Sequence, residues 1–212
     1  MQRYDVCIIG GGPSGYAAAM RCMDFGKKTI LVEKHKLGGA GIYNGALTSK
    51  TLWEISEQYR AALSFTNFFK IYNSELNFKD LISEVNQAAH SRYSQMMDQA
   101  LYFCQSGLLR LSNAHGKLLS HNEILLEDGT QNEEIIHADY IILAVGSKPR
   151  KLNNIHVDER NIVTSDGIEN FDDFPESLVI LGAGVIGCEF ATIFSNFGKT
   201  RVNLIDRQSR IL

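Results

Sequence analysis

Asp5-Val6-Cys7-Ile8-Ile9-Gly10-Gly11-Gly12-Pro13-Ser14-Gly15, with Ala19 four residues on, lies near the start of this sequence. A continuous apolar, β-branched run from 4 to 9 reads as a buried parallel strand. The apolar helical pattern over 14–25 follows, with Ser14 near its start and Gly26 just past its end. Between them lies G-x-G-x-x-G. Gly10 permits the tight turn after the strand, Gly12 lets backbone approach a phosphate, and Gly15 lets the helix pack closely on the strand. A helix N-terminus offers free N–H groups and a positive dipole end, a natural seat for a pyrophosphate. A second strand is expected over 28–33. It ends at Glu33, 18 positions after Gly15, where a carboxylate can accept hydrogen bonds from ribose hydroxyls.

The pattern returns at Leu178-Val179-Ile180-Leu181-Gly182-Ala183-Gly184-Val185-Ile186-Gly187, with Ala191 four residues on. Gly182, Gly184 and Gly187 take the three glycine roles. Asp206, 19 positions after Gly187 and closing a strand over 201–206, takes the part of Glu33. One such motif is weak evidence for a dinucleotide, since a tight strand–helix turn with no ligand reads the same way. Two in one chain, each with its acid, suggest an enzyme that passes electrons between two dinucleotides. An acid at position 206 favours a free 2′-hydroxyl, hence NAD over NADP. The neighbouring Arg207 argues the other way, because a cation there accepts a 2′-phosphate.

Between the two motifs, Gly38, Gly39, Gly41 and Gly45 form a glycine-rich loop leading into a helix through about Leu63. A further helix is expected from about Phe78 to Cys104, with Leu81, Ile82, Val85, Ala89, Met96, Ala100 and Leu101 mostly at helical spacing. Residues 107–137 read as a small β-meander around the turn Asp128-Gly129. Residues 139–145 read as a separate buried strand ending at Gly146, and 147–177 as a mixed connection punctuated by Pro149 and Pro175.

The 212 residues are 44% hydrophobic, enough for a sizeable core. A net charge of −3 and a pI near 6.1 give no electrostatic case for nucleic acid or an acidic membrane. No apolar run approaches the roughly 20 residues of a spanning helix, and no leader pattern precedes the first strand. A cytoplasmic protein is expected. Cys7, Cys22, Cys104 and Cys188 are far apart, read as reduced packing thiols, and form no metal spacing. No pair of the six histidines has ligand spacing either, so no metal site is expected.

At this point the chain resembles the flavoprotein pyridine nucleotide-disulfide oxidoreductases, motif by motif and over its whole length. The first fingerprint is similar to that family's FAD site. Ala144-Val145-Gly146-Ser147-Lys148-Pro149 resembles its A-T-G-S-x-P segment beside the flavin. Val185 to Ala191, V-I-G-C-E-F-A, resembles its NAD(P) motif, in which Val185 and Ile186 follow the glycines and Glu189 lies near the nicotinamide. The resemblance implies an α/β fold: an FAD-binding Rossmann-like domain over 1–150, incomplete, then the start of a Rossmann-like NAD(P)-binding domain over 151–212, truncated. It implies FAD held by Gly10, Gly12, Pro13, Ser14, Gly15, Glu33, Lys34, Lys50, Ala114, Ala144 and Gly146, with Ser165 in a T-S segment near the flavin. Lys50 would sit near the isoalloxazine ring.

The departure lies in the loop that carries the family's chemistry. Where the family reads G-G-T-C-x-N-x-G-C-I-P-S-K, this chain reads Gly38-Gly39-Ala40-Gly41-Ile42-Tyr43-Asn44-Gly45-Ala46-Leu47-Thr48-Ser49-Lys50. Gly41 and Ala46 stand where the two redox cysteines belong, and neither forms a thiolate or a disulfide. The expectation is an FAD-dependent NAD(P)H oxidoreductase without the redox disulfide, passing hydride from NAD(P)H to FAD and on to a small-molecule electron acceptor such as a quinone, oxygen, a dye or another nucleotide. No protein acid, base or nucleophile is required for the hydride step. The family's later segments, including its dimerisation domain and His-Glu pair, have no counterpart in these residues. The chain is therefore expected to be a piece of a longer product, or to work as a homodimer or with a completing polypeptide. The alternatives are a non-catalytic FAD-binding module and a truncated remnant.

Overall fold

The computed structural model describes residues 1–65, 76–130, 133–150 and 152–211. Positions 131, 132 and 151, which fall in the expected meander and at the expected start of the second domain, lie outside the described residues. In chain order the elements are β1 (Gln2–Ile9), α1 (Pro13–Asp24), β2 (Thr29–Val32), α2 (Gly39–Ile42), α3 (Ala46–Ser64), α4 (Phe78–Gln105), β3 (Leu109–Ser112), β4 (His115–Leu118), β5 (Glu123–Glu127), β6 (Glu133–Leu143), a 3-10 helix (Ser165–Asn170), β7 (Ser177–Leu181), α5 (Val185–Phe197) and β8 (Arg201–Ile205). They divide into two units, Met1–Tyr43 with His90–Lys148, and Asn44–Ala89 with Pro149–Leu212.

The first unit is built on a six-stranded sheet of order β3-β2-β1-β6-β5-β4. β3, β2, β1 and β6 run parallel, and β6, β5 and β4 run antiparallel. Cys7 and Ile8 of β1 are sealed from solvent, and so are Ile30 and Leu31 of β2. A run of apolar side chains is therefore buried on both faces, which is what a parallel strand requires. The meander adds Ala114, Ile124, Leu126, Ile136 and Ala138 to the same core.

Two sequence expectations change here. The strand over 139–145 is not separate: β6 is one 11-residue strand that pairs through Glu133–His137 with β5 and through Ile136–Leu143 with β1. Nor does β3 belong to the meander. Leu109–Ser112 pairs parallel with β2, and the meander is β4-β5-β6. The glycine-rich loop also holds a single helical turn, α2, and the mixed connection holds the 3-10 helix.

In the second unit β7 and β8 pair in parallel, with α5 crossing between them. Leu178, Ile180 and Val202 pack toward a core of Leu52, Phe78, Leu81, Val85, Ile168, Phe190, Ile193, Phe194 and Phe197. Phenylalanine rings interlock there, Phe174 meeting Phe78 edge-on at 4.9 Å between centroids. The opposite face of the two strands carries Val179, Leu181 and Ile205, all more than half exposed. The chain is thus a mixed α/β protein with a Rossmann-like sheet. No helix among the described residues is long and apolar enough to cross a membrane.

Candidate functional site

The two glycine motifs fold into the same device, each within its own unit. Gly10 sits at φ +105° and Gly182 at +109°, backbone that favours glycine. The Gly10 N–H donates to Val32 O and the Gly182 N–H to Ile205 O, both at 2.8 Å, so each turn is tied to the end of the next strand. Helix α1 starts from Gly12 and α5 from Gly184 in nearly identical extended conformations, with no side chain capping either N-terminus. The third glycine is a packing requirement: a Cβ on Gly15 would overlap the Gly10 carbonyl, and one on Gly187 would overlap the Gly182 carbonyl. The middle glycine is the opposite case. A Cβ on Gly12 or Gly184 would meet nothing within 4 Å. Open space stands over an uncapped helix N-terminus in both units, the arrangement that admits a phosphate against the backbone.

The acids also match. Glu33 Oε2 accepts from the Gly11 N–H at 2.7 Å and Oε1 from the His35 N–H at 2.8 Å. Asp206 Oδ2 accepts from the Ala183 N–H at 2.6 Å and Oδ1 from the Gln208 N–H at 2.8 Å. Each carboxylate therefore braces its glycine turn, and each oxygen keeps a lone pair for a ribose hydroxyl. The Ala183 and Gln208 N–H groups, with Arg207 beside them, hold the Asp206 carboxyl below the usual carboxylate range.

In the first unit the Gly10 turn follows β1, whose neighbours are β2 on one side and β6 on the other. That is the point where strand order reverses, the usual ligand crevice of an open parallel sheet. A cavity of about 140 Å³ opens there between Gly10, Glu33, Lys34, Ala114, His115 and Val145. Ala144 closes the turn from behind, its N–H donating to Ile9 O at 2.8 Å. Gly146, at φ +72°, carries the chain out of the strand. Pro13 and Ser14 form the first turn of α1. The structure so gathers Gly10 to Gly15, Glu33, Lys34, Ala114, Ala144 and Gly146 at one end of one sheet. This open, backbone-lined cradle has the donors and the space that a phosphate and a ribose require. His115, which the sequence reading passed over, lines the same cavity.

The second unit holds a larger cavity, about 270 Å³, bounded by the start of α3, the 3-10 helix and the start of α5. Lys50, Ser165, Val185, Ile186 and Glu189 all line it. Lys50 Nζ donates to Glu189 Oε1 at 2.6 Å. The Glu189 side chain is only 10% exposed against 65% for Lys50, so the carboxylate depends on the pair more than the ammonium does. Glu169 lines the cavity too and was missed from the sequence, where it reads as one more polar residue of a loop. Its Oε1 is buried without a hydrogen-bond partner. Burial pushes its carboxyl up, the Thr48 hydroxyl opposes the rise and the charge of Asp166 adds to it. Among the described residues no cluster of His, Cys, Asp and Glu could hold a metal ion.

Fold and paired turns together define a Rossmann-like α/β protein of the nucleotide-binding kind. The chain belongs to the Pyridine nucleotide-disulphide oxidoreductase family, which it matches over residues 4–212. It is 33% identical over 218 residues to a dihydrolipoyl dehydrogenase of Bacillus subtilis (strain 168), covering 99% of this chain and 45% of that protein. It is 32% identical over 220 residues to a soluble pyridine nucleotide transhydrogenase of Mycobacterium bovis (strain BCG / Pasteur 1173P2), covering 100% and 45%. Among solved structures, LpdA from Mycobacterium tuberculosis superposes with a TM-score of 0.85 at 22% identity, over 99% of this chain and 46% of that one. The HOCl-induced flavoprotein disulfide reductase RclA from Escherichia coli superposes with a TM-score of 0.82 at 22% identity, over 100% and 44%. These two likenesses concern the fold. The chain spans less than half the length of the relatives it matches. The family is one of FAD-dependent oxidoreductases that use NAD(P)H.

Proposed function

We propose that this chain carries the FAD site and the first part of the nicotinamide nucleotide site of an NAD(P)H oxidoreductase that works without a redox disulfide. The observation that carries the reading is the duplicated turn: two uncapped helix N-termini, each under an open glycine and each braced by an acid. FAD is assigned to the first unit, at Gly10, Gly12, Pro13, Ser14, Gly15, Glu33, Lys34, Ala114, Ala144 and Gly146. Family resemblance adds Lys50 and Ser165 as flavin contacts. NAD(P)H is assigned to Gly182, Gly184, Val185, Ile186, Gly187, Glu189 and Asp206, with NAD favoured by the acid at 206. On this reading 1–150 belong to the FAD-binding domain and 151–212 begin the NAD(P)-binding domain of a cytoplasmic enzyme.

The loop Gly38–Lys50 contains no cysteine, and Cys7, Cys22, Cys104 and Cys188 are all free. Dithiol chemistry therefore has no place in that loop; NAD(P)H and FAD, held by the residues named above, would supply hydride transfer to a small-molecule acceptor. FAD supplies the two-electron chemistry; the protein's residues bind, orient and exclude water. The test is acceptor choice in the FAD-loaded chain. NADH oxidation is expected with a quinone and not with lipoamide or glutathione disulfide, and disulfide turnover would overturn the reading.

A second reading, an FAD-binding module without turnover, is favoured by the two-stranded second sheet, whose face of Val179, Leu181 and Ile205 is more than half exposed among the described residues. Parallel sheets are normally covered on both faces, and a completing polypeptide or a second copy would supply the cover. Flavin uptake without bleaching by NADH is the outcome that distinguishes this module from the enzyme.

A further inference from the structure

Asn44 is the one asparagine in the sequence that is followed by glycine, Gly45. Glycine has no side chain to shield its amide nitrogen, so that nitrogen can swing back onto the neighbouring side-chain amide. The pair lies between α2 and α3, where Asn44 is exposed and takes φ +54°, a left-handed conformation that asparagine tolerates. Neither the Asn44 side chain nor the Gly45 N–H makes a hydrogen bond among the described residues. The other side of Gly45 is anchored, its carbonyl accepting from the Ser49 N–H at 3.0 Å and from the Thr48 hydroxyl at 3.1 Å. Gly45 also precedes α3, whose first turn holds no acid and whose N-terminus has no side-chain cap. The positive end of that helix favours loss of the Gly45 amide proton and the negative charge that builds on the attacked carbonyl. Two other places offer related chemistry, and the structure closes both. Asp128 precedes Gly129, but Thr130 donates to its carboxylate from N–H and hydroxyl and keeps it ionised, a poor electrophile. Asp166 precedes Gly167, but the buried Gly167 donates its N–H to Thr164 O at 3.1 Å within the 3-10 helix.

We propose that Asn44 is a site of spontaneous deamidation in the folded protein. The Gly45 nitrogen gives its proton to hydroxide and bonds to Asn44 Cγ. A succinimide ring closes, the Cγ–Nδ2 bond breaks, and the nitrogen leaves as ammonia after taking a proton from water. Water then opens the ring at either carbonyl, giving aspartate or, with the main chain rerouted through the side chain, isoaspartate. No electrons are exchanged, so no oxidant or reductant is needed. Asn44 and Gly45 line the second unit's cavity together with Lys50, Glu169 and Glu189. Each event therefore adds a carboxylate to a lining in which Lys50 is the one cation among the described residues. The charge of this cavity accordingly tracks the age of the molecule, whatever ligand the cavity takes.

The test incubates the purified full chain at mildly alkaline pH in heavy-oxygen water, without denaturant, and follows it by tryptic peptide mapping and isoelectric focusing. The peptide Leu37–Lys50 is expected to split with time into aspartate and isoaspartate forms, each carrying one heavy oxygen, and the protein to shift by one negative charge. Both changes should speed up as pH rises. Asn44→Gly, which suits the positive φ and removes the reacting amide, is expected to abolish the acidic shift. Deamidation first at another asparagine would overturn the proposal. So would an Asn44 that stays intact in the native protein while the urea-unfolded chain reacts there, or an acidic shift that persists in Asn44→Gly. Should that variant fail to fold, the time course of Leu37–Lys50 in the parent decides alone.

Discussion

The two glycines of one turn should separate stability from binding. Gly12 has φ −69° and ψ −173°, extended backbone that alanine adopts without strain, and its added Cβ would meet nothing within 4 Å. Gly12→Ala should therefore leave stability unchanged or raise it by up to about 1 kcal/mol, through a less flexible unfolded chain. Its methyl group stands where the pyrophosphate must come, so FAD affinity should fall at least tenfold, about 1.4 kcal/mol. Gly15→Ala is the reverse case. Its Cβ would overlap the Gly10 carbonyl and lie 3.2 Å from the Ala144 Cβ. Backbone cannot rotate away, so helix α1 must shift on the sheet at a cost of about 1–3 kcal/mol. For a chain of this size that lowers the melting temperature by roughly 2–12 °C. Circular dichroism melts and FAD titration by flavin fluorescence read both quantities. If Gly12→Ala melts as low as Gly15→Ala, or binds FAD like the parent, the division of roles is wrong. Gly184→Ala and Gly187→Ala should repeat the contrast for NADH.

Further outcomes follow from the charges and thiols. Lys50→Ala strands a nearly buried carboxylate and should cost about 1–3 kcal/mol in a urea melt; Glu189→Ala frees a hydrated ammonium and should cost less, and equal costs would contradict the asymmetry of exposure in that pair. The Asp206 carboxyl is held low by its backbone donors, so its bracing of the second turn is present above the carboxylate's unfolded pKa and is lost as pH falls through the lower folded value; the stability of Asp206→Asn relative to the parent should be lowest at neutral pH and converge with it in acid. Burial pushes the Cys7 thiol up to about 12, so iodoacetamide at neutral pH should label native protein at Cys22, Cys104 or Cys188 before Cys7, and early labelling of Cys7 would show that β1 is not sealed.

Local signals carried most of the fold. The β1-α1-β2 and β7-α5-β8 units are legible because glycine spacing, the apolar run and the acid all lie within about 30 residues of one another. What stayed hidden is long-range. Leu109-Arg110-Leu111-Ser112 alternates like a hairpin strand, and nothing in those four residues says that they pair parallel with β2. The long β6 conceals its continuity because its composition changes midway: Glu133 to His137 read as meander and Ala138 to Leu143 as buried strand. The Lys50–Glu189 pair joins positions 139 apart, and nothing in the sequence pointed to it; resemblance marked each residue only singly. Glu169 had no signal at all, since burial of one polar residue in a short 3-10 helix depends on Thr48, Leu52 and Phe190 packing around the same cavity.

The visible absorption spectrum of the purified chain, taken with FAD before and after anaerobic NADH, meets the central claim most directly. The account predicts a bound-flavin spectrum, retained through gel filtration, that bleaches when NADH is added. A chain that retains no flavin even after incubation with FAD would contradict it.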